Sequence, residues 1–352
     1  MDAAPVLDAA RKLVDDAATP ACQVAVAHDG ELVCFETFGT ATNETRFCVW
    51  SATKPIVASA VWILIGEGLL DPRRPVAHYV PEFATNGKEI VTVEQVLLHT
   101  SGFPNASMDA IEGGDSVTRV KRFTEWDLEW EPGSRFEYHA ATAHWVLAEL
   151  IERVSGHDFR DYIETRVCAP LGLPRLLGLA PEEQDDIAAG VPLGAAPADS
   201  GVRHVDPTSL DDPAVRAAGV PGGGGIMTAA TMALFYQALL HDPKGIWDPA
   251  VLHDAETNVR CTFPDPIMQV AANRSLGLVI AGDDGLHQFR YAMFGRDNSP
   301  GSFGHAGAYG QVAWADPASG ISFSFVKNGL QADMMADAAK VMSIANAAAA
   351  LS

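Results

Sequence analysis

Apolar and polar positions change their rhythm three times along this 352-residue chain. At the start, Val6, Ala10, Leu13, Val14 and Ala17 recur every three or four residues among acidic neighbours, which predicts an amphipathic helix over residues 1–18. Residues 22–27 and 31–38 are partly alternating apolar runs around Asp29-Gly30, a two-residue hairpin signal. From Ser51 to about Leu240 the period is mostly helical, with helices expected at 51–68, 93–99, 142–155, 159–167 and 229–241. Glycine and proline clusters separate them, and residues 185–220, rich in Ala, Pro, Asp and Gly, predict a long surface excursion. Strand patterns return at 275–281, 311–315 and 321–326, with Phe303 to Ala308 opening the second of these. An alanine-rich helix over 336–351 closes the chain.

Strands at both ends of a helical middle predict an α/β (α+β) fold. One antiparallel sheet is built from residues 1–50 and 270–352 and flanked by the terminal helices, with a mainly helical region with long loops inserted over 51–269. Residue 51 then falls at the junction, where clefts tend to form. Forty-eight per cent hydrophobic residues supply a core, and 24 basic against 45 acidic residues give a formal charge of −21. That balance argues against nucleic acid or an anionic membrane surface as partner. The apolar run from Pro55 to Gly66 is short for a bilayer span, and the start lacks the features of an export signal. Cys22, Cys34, Cys48, Cys168 and Cys261 are scattered and odd in number, which reads as reduced thiols in a cytoplasmic protein. His139 and His144 are five apart with no H-E-x-x-H or cysteine pair beside them, so neither a metal nor a cofactor is expected.

Ser51-Ala52-Thr53-Lys54 carries the strongest chemical signal. Positions i and i+3 share a helix face, so a hydroxyl nucleophile lies beside an amine that can take or hold its proton. Ser324-Phe325-Val326-Lys327 repeats the pattern in a strand, where period two sends the serine and lysine to opposite faces. By itself Ser51 is equally readable as a helix N-cap ahead of Pro55, and Tyr138 as a packed aromatic. His99 and Ser101 read as turn-holding residues, and Gly222 to Gly225 as a flexible loop edging the cleft. No G-x-S-x-G is present, which excludes the strand-to-helix nucleophile elbow.

Three further segments follow in order: Leu97-Leu98-His99-Thr100-Ser101-Gly102, Glu131-Pro132-Gly133-Ser134-Arg135-Phe136-Glu137-Tyr138 and Phe303-Gly304-His305-Ala306-Gly307-Ala308. With Ser51-x-x-Lys54 they resemble the serine β-lactamase-like, penicillin-binding-protein-like hydrolases, on the class C β-lactamase and family VIII carboxylesterase branch. Gly68-Leu69-Leu70-Asp71, Pro81-Glu82-Phe83, residues 222–228 and Ser275-Leu276-Gly277-Leu278 extend the likeness over most of the chain. The resemblance implies that Ser51 is acylated while Lys54 and Tyr138 share the base role. It implies an oxyanion hole from the N–H groups of Ser51 and Ala308, with Ala306 and Gly307 beside the substrate. His305 stands where many relatives have a lysine, and would donate to the substrate or to Tyr138. Trp126, Trp130, Phe136 and His139 are candidate pocket walls.

Two departures bear on the substrate. Where β-lactamases and peptidases have Tyr-x-Asn, this chain has Tyr138-His139-Ala140, and alanine cannot hold a substrate amide. His-Ala-Gly replaces Lys-Thr-Gly, which removes a fixed positive charge at that position. Both favour a carboxylesterase on small, uncharged acyl esters over cell-wall peptides or β-lactams. An amidase, D-aminopeptidase or weak β-lactamase, an acyltransferase, and a catalytically silent binding protein stay open as alternatives.

Overall fold

The structure is a computed structural model that describes residues 1–194 and 206–351. Its centre is a six-stranded antiparallel sheet made of β1 (Ala21–His28), β2 (Glu31–Gly39), β3 (Val279–Ile280), β4 (Phe303–Gly307), β5 (Gln311–Asp316) and β6 (Ile321–Lys327), in the order β2-β1-β6-β5-β4-β3. Cys22 pairs with Lys327 and His28 with Ile321, so the two ends of the chain meet inside the sheet, as the strand pattern predicts. Asp29 and Gly30 take left-handed conformations, φ 52° and 80°, and close the expected hairpin. Two strand expectations need correction. Only Val279–Ile280 of the 275–281 stretch is strand, because Gly277, at φ 101°, brings the chain against Ala58, where an added Cβ would lie 2.3 Å from the Ala58 Cβ. Residues 303–307 form a strand of their own, because left-handed Tyr309 and Gly310 turn the chain back so that Gly307 pairs with Gln311.

Alternation gives the sheet two apolar faces. Val24, Val26, Val312, Trp314, Phe323 and Phe325 pack under α1 (Ala4–Asp15) and the last helix, Met334–Ala349. Ala25, Ala27, Ala313 and Ala315 face the larger core, which holds α2 (Lys54–Gly66), α3 (Thr142–Ser155) and α4 (Ala229–His241). Helix α4, although it falls within 51–269, lies on the sheet: Gln237 Nε2 donates to Ala27 O at 3.0 Å and Ser324 Oγ donates to Ala229 O at 2.6 Å. Lys327 instead pairs with Asp337 of the last helix at 2.8 Å, so the second Ser-x-x-Lys is split between faces as period two requires. The surface excursion includes a short strand, Val191–Leu193, and a helical turn, Pro213–Ala218; its residues 195–205 lie outside the described residues. Among the described residues no helix is long and apolar enough to cross a membrane. All five cysteines are free thiols.

Candidate active site

Ser51 sits in a 3₁₀ turn, Trp50–Thr53, immediately ahead of α2. In that geometry residues i and i+3 eclipse, which brings Lys54 Nζ to 3.2 Å from Ser51 Oγ. The Lys54 amine is fully buried and donates to two main-chain oxygens, Ala140 O at 2.7 Å and Gly222 O at 2.6 Å. Burial, helped by the Arg274 charge, holds its pKa well below the ordinary lysine value. A neutral amine has two N–H groups and one lone pair. As an ammonium group Lys54 donates to Ser51 Oγ as well as to the two carbonyls; once neutral, it keeps two N–H groups for the carbonyls and turns its lone pair to the serine hydroxyl. The glycine loop is therefore not a loose rim but a buried strap. Thr53 Oγ1 accepts from Gly225 N at 2.9 Å, and Gly225 O accepts from Val49 N at 2.9 Å.

Tyr138 completes the expected trio, with Lys54 Nζ 5.0 Å from its ring centroid. Its hydroxyl is buried without a well-formed hydrogen bond, although the Ser51 and Tyr291 hydroxyls are close enough to affect its proton. Burial raises its pKa well above the usual phenol value, and Arg274 opposes this. A shared base role therefore does not match the electrostatics. Removing water penalises ammonium and phenolate alike, so the enclosure favours a neutral amine and a neutral phenol. Ser51, Tyr138, Tyr291 and Ala308 are each half-buried, while the Lys54 amine and the Tyr138 hydroxyl are enclosed.

The oxyanion-hole candidates come together because β4 ends on the segment before the nucleophile. A Cβ on Gly307 would lie 2.3 Å from Val49 O and 3.1 Å from Trp50 Cβ. Gly307 thus permits this chain crossing. Trp50 before Ser51 and Tyr309 after Ala308 are both left-handed, φ 50° and 58°, and their rings meet edge-on at 5.0 Å. Ala306 uses its N–H on Tyr291 O at 3.0 Å. His305 is buried with both nitrogens engaged: Nδ1 donates to Ala306 O at 2.6 Å, and Nε2 accepts from Arg274 Nη1 at 3.0 Å. Its expected donor role toward substrate or Tyr138 has no free N–H to supply it.

The pocket candidates divide. Trp126 is core, packed on Phe103 and Phe123 with Nε1 donating to Ser107 O at 2.9 Å. His139 is a staple: Nδ1 donates to Glu137 O at 2.6 Å, and Nε2 accepts from Phe103 N at 3.2 Å and from Ser101 Oγ at 3.1 Å. Ser101 and His99, whose Nδ1 accepts from His139 N at 3.2 Å, hold this turn as expected. Trp130 lies under the Arg135 guanidinium at 5.0 Å and meets His139 edge-on at 6.0 Å. Phe136 alone adjoins the centre, 5.5 Å from the Arg274 guanidinium carbon. Arg274 and Tyr291 are the residues that sequence reasoning missed. Arg274 directly precedes the recognised Ser275-Leu276-Gly277-Leu278 stretch, a signal that was available; Tyr291 lies in no motif.

Comparison with known proteins bears on the fold and the family. The chain is 28% identical over 315 residues to the esterase/beta-lactamase LipL of Mycobacterium tuberculosis, covering 80% of this chain and 69% of LipL. Among solved structures, a penicillin-binding protein homolog from Caulobacter crescentus superposes with a TM-score of 0.81 at 25% identity, covering 99% of this chain and 96% of that one. A family VIII carboxylesterase shares the fold, with a TM-score of 0.80 at 24% identity and coverage of 97% and 96%. The profile of the Beta-lactamase family matches residues 6–346, nearly the whole length, and the chain belongs to that family.

Proposed function

We propose that this hydrolase is a serine carboxylesterase that turns over small or medium uncharged acyl esters through an acyl-enzyme on Ser51. The observation that carries the reading is the clamped amine: Lys54 gives its donors to Ala140 O and Gly222 O and faces Ser51 Oγ at 3.2 Å. As Oγ bonds the ester carbonyl carbon, the serine proton passes to Nζ, and the N–H groups of Ser51 and Ala308 receive the oxyanion. Tyr138 gives its proton to the departing alcohol. Water then attacks the acyl carbon as Lys54 takes its proton, and Lys54 returns that proton to Ser51 Oγ as the acid is released.

Two observations favour esters over peptides. The Ala306 N–H, which an extended peptide would need for β-addition, is already bonded to Tyr291 O at 3.0 Å. Ala140 offers no side-chain amide to a substrate. The cation missing from the strand motif is restored in space by Arg274, but this guanidinium is buried against Phe136, Tyr138 and Tyr291, so its charge acts on the phenols.

The test is intact-mass analysis after a fluorophosphonate probe, followed by turnover of p-nitrophenyl butyrate, nitrocefin and a D-alanyl amide. One label at Ser51, absent from Ser51→Ala, and ester turnover well above the other two are expected. Labelling that persists in the variant, or nitrocefin turnover exceeding ester turnover, would refute the reading.

A further inference from the structure

Tyr291 belongs to none of the motifs that organise the site, yet it lies against the centre. Its ring packs on Tyr138 with centroids 4.8 Å apart and planes inclined at 38°, and meets His305 edge-on at 5.3 Å. Its carbonyl accepts the Ala306 N–H, which ties residue 291 to the strand leading to Ala308. Its hydroxyl adjoins those of Ser51 and Tyr138. Behind both rings stands Arg274, its guanidinium carbon 5.3 Å from the Tyr138 centroid and 5.7 Å from that of Tyr291. This guanidinium is buried, bonds His305 Nε2, and leaves its Nε unpaired. A buried positive charge directed at two phenols favours an oxygen anion on either of them.

We propose that Tyr291 is a second catalytic phenol, paired with Tyr138 to protonate the leaving group, with Arg274 as the positioning residue beneath both. The inference rests on the Ser51 acyl-enzyme reading. When the tetrahedral intermediate collapses, the bond from carbonyl carbon to leaving oxygen breaks, its electron pair stays on that oxygen, and the Tyr138 proton moves to it. Tyr291 O–H donates a hydrogen bond to the Tyr138 oxygen as it becomes phenolate. The proton that Lys54 took from Ser51 then returns to this phenolate, leaving both groups neutral. The other groups facing the pair are Lys54, 5.0 Å from the Tyr138 ring, His99, 4.8 Å from it, His305, and Asp265, whose charge opposes ionisation of Tyr291. Burial and the Arg274 charge keep both histidines neutral, so Arg274 and Asp265 are the standing charges that bear on the pair, joined by Lys54 only while it holds the serine proton.

Leaving-group dependence tests this, because p-nitrophenolate departs as a stabilised anion whereas an alkoxide needs a proton. In Tyr291→Phe, kcat/KM for ethyl butyrate should fall about tenfold or more and that for p-nitrophenyl butyrate by less than about threefold. Added to Tyr138→Phe, the substitution should cause no further loss on either ester, since both phenols act on one proton. Equal losses on the two esters, no loss on either, or losses that add to those of Tyr138→Phe would overturn the proposal. Wild-type protein that hydrolyses neither ester would overturn the esterase reading and this inference together; an enzyme active on both esters but without the contrast overturns this inference alone.

Discussion

At the level of single residues, the chemistry turns on how burial sets the proton on Lys54. Enclosure lowers its pKa well below the ordinary value, and the Arg274 charge adds to that. In the proposed mechanism the amine is the active form and exists above the folded-state pKa, so activity should rise with pH through that value and then level. The plateau should begin well below the pH near 10.4 at which a free lysine titrates. The profile of kcat/KM for p-nitrophenyl butyrate against pH checks this; an acid limb at the free-lysine value would contradict it. Lys54→Arg puts a permanent cation there that cannot supply a lone pair, and should lose at least about a hundredfold in turnover. The Ser51–Lys54 contact was legible because it is local, three residues within one turn. The partners of His305 were not: its register in the strand motif says nothing of Arg274, which reaches it from 31 residues upstream.

At the level of elements, close backbone approaches decide the site. Gly307→Ala places a methyl group 2.3 Å from Val49 O, and the neighbour is main chain that cannot rotate away. The substitution should destabilise by about 1–3 kcal/mol and slow fluorophosphonate labelling of Ser51, because the strand end and the nucleophile turn must separate. A thermal midpoint and labelling rate equal to those of the wild type would show that the crossing is slack. Helices with clear end signals were read to the residue. Thr142–Ser155 stops at left-handed Gly156, φ 74°, and Ala229–His241 starts after Thr228, whose side chain accepts from Thr231 N. The helix expected from Ser51 instead opens as a 3₁₀ turn held by Thr53, whose Oγ1 donates to Trp50 O at 2.6 Å. Periodicity does not distinguish these two kinds of turn.

On the scale of the whole molecule, the sheet closes only when the last strand and helix join the first hairpin. The Lys327–Asp337 pair binds β6 to the final helix at 2.8 Å, with side-chain exposures of 1% and 3%. Asp337→Ala would strand a buried ammonium group and should cost about 3–5 kcal/mol, read as a lower urea midpoint. Lys327→Met combined with Asp337→Leu should recover most of that loss, because no buried charge is left unpaired; an equally unstable double variant would show that the pair acts otherwise. What the sequence alone determined is local or periodic: the hairpin at Asp29-Gly30, the main helices, the two-ended sheet and the Ser51-x-x-Lys54 face, each resting on turn chemistry or on repeats of 2.0 and 3.6 residues. Tertiary structure alone decided which carbonyls strip the amine of its donors, which arginine stands beneath the phenols and which tyrosine joins them. These contacts link positions tens to hundreds of residues apart, and their geometry follows from how helices and sheet pack in three dimensions rather than from any spacing along the chain.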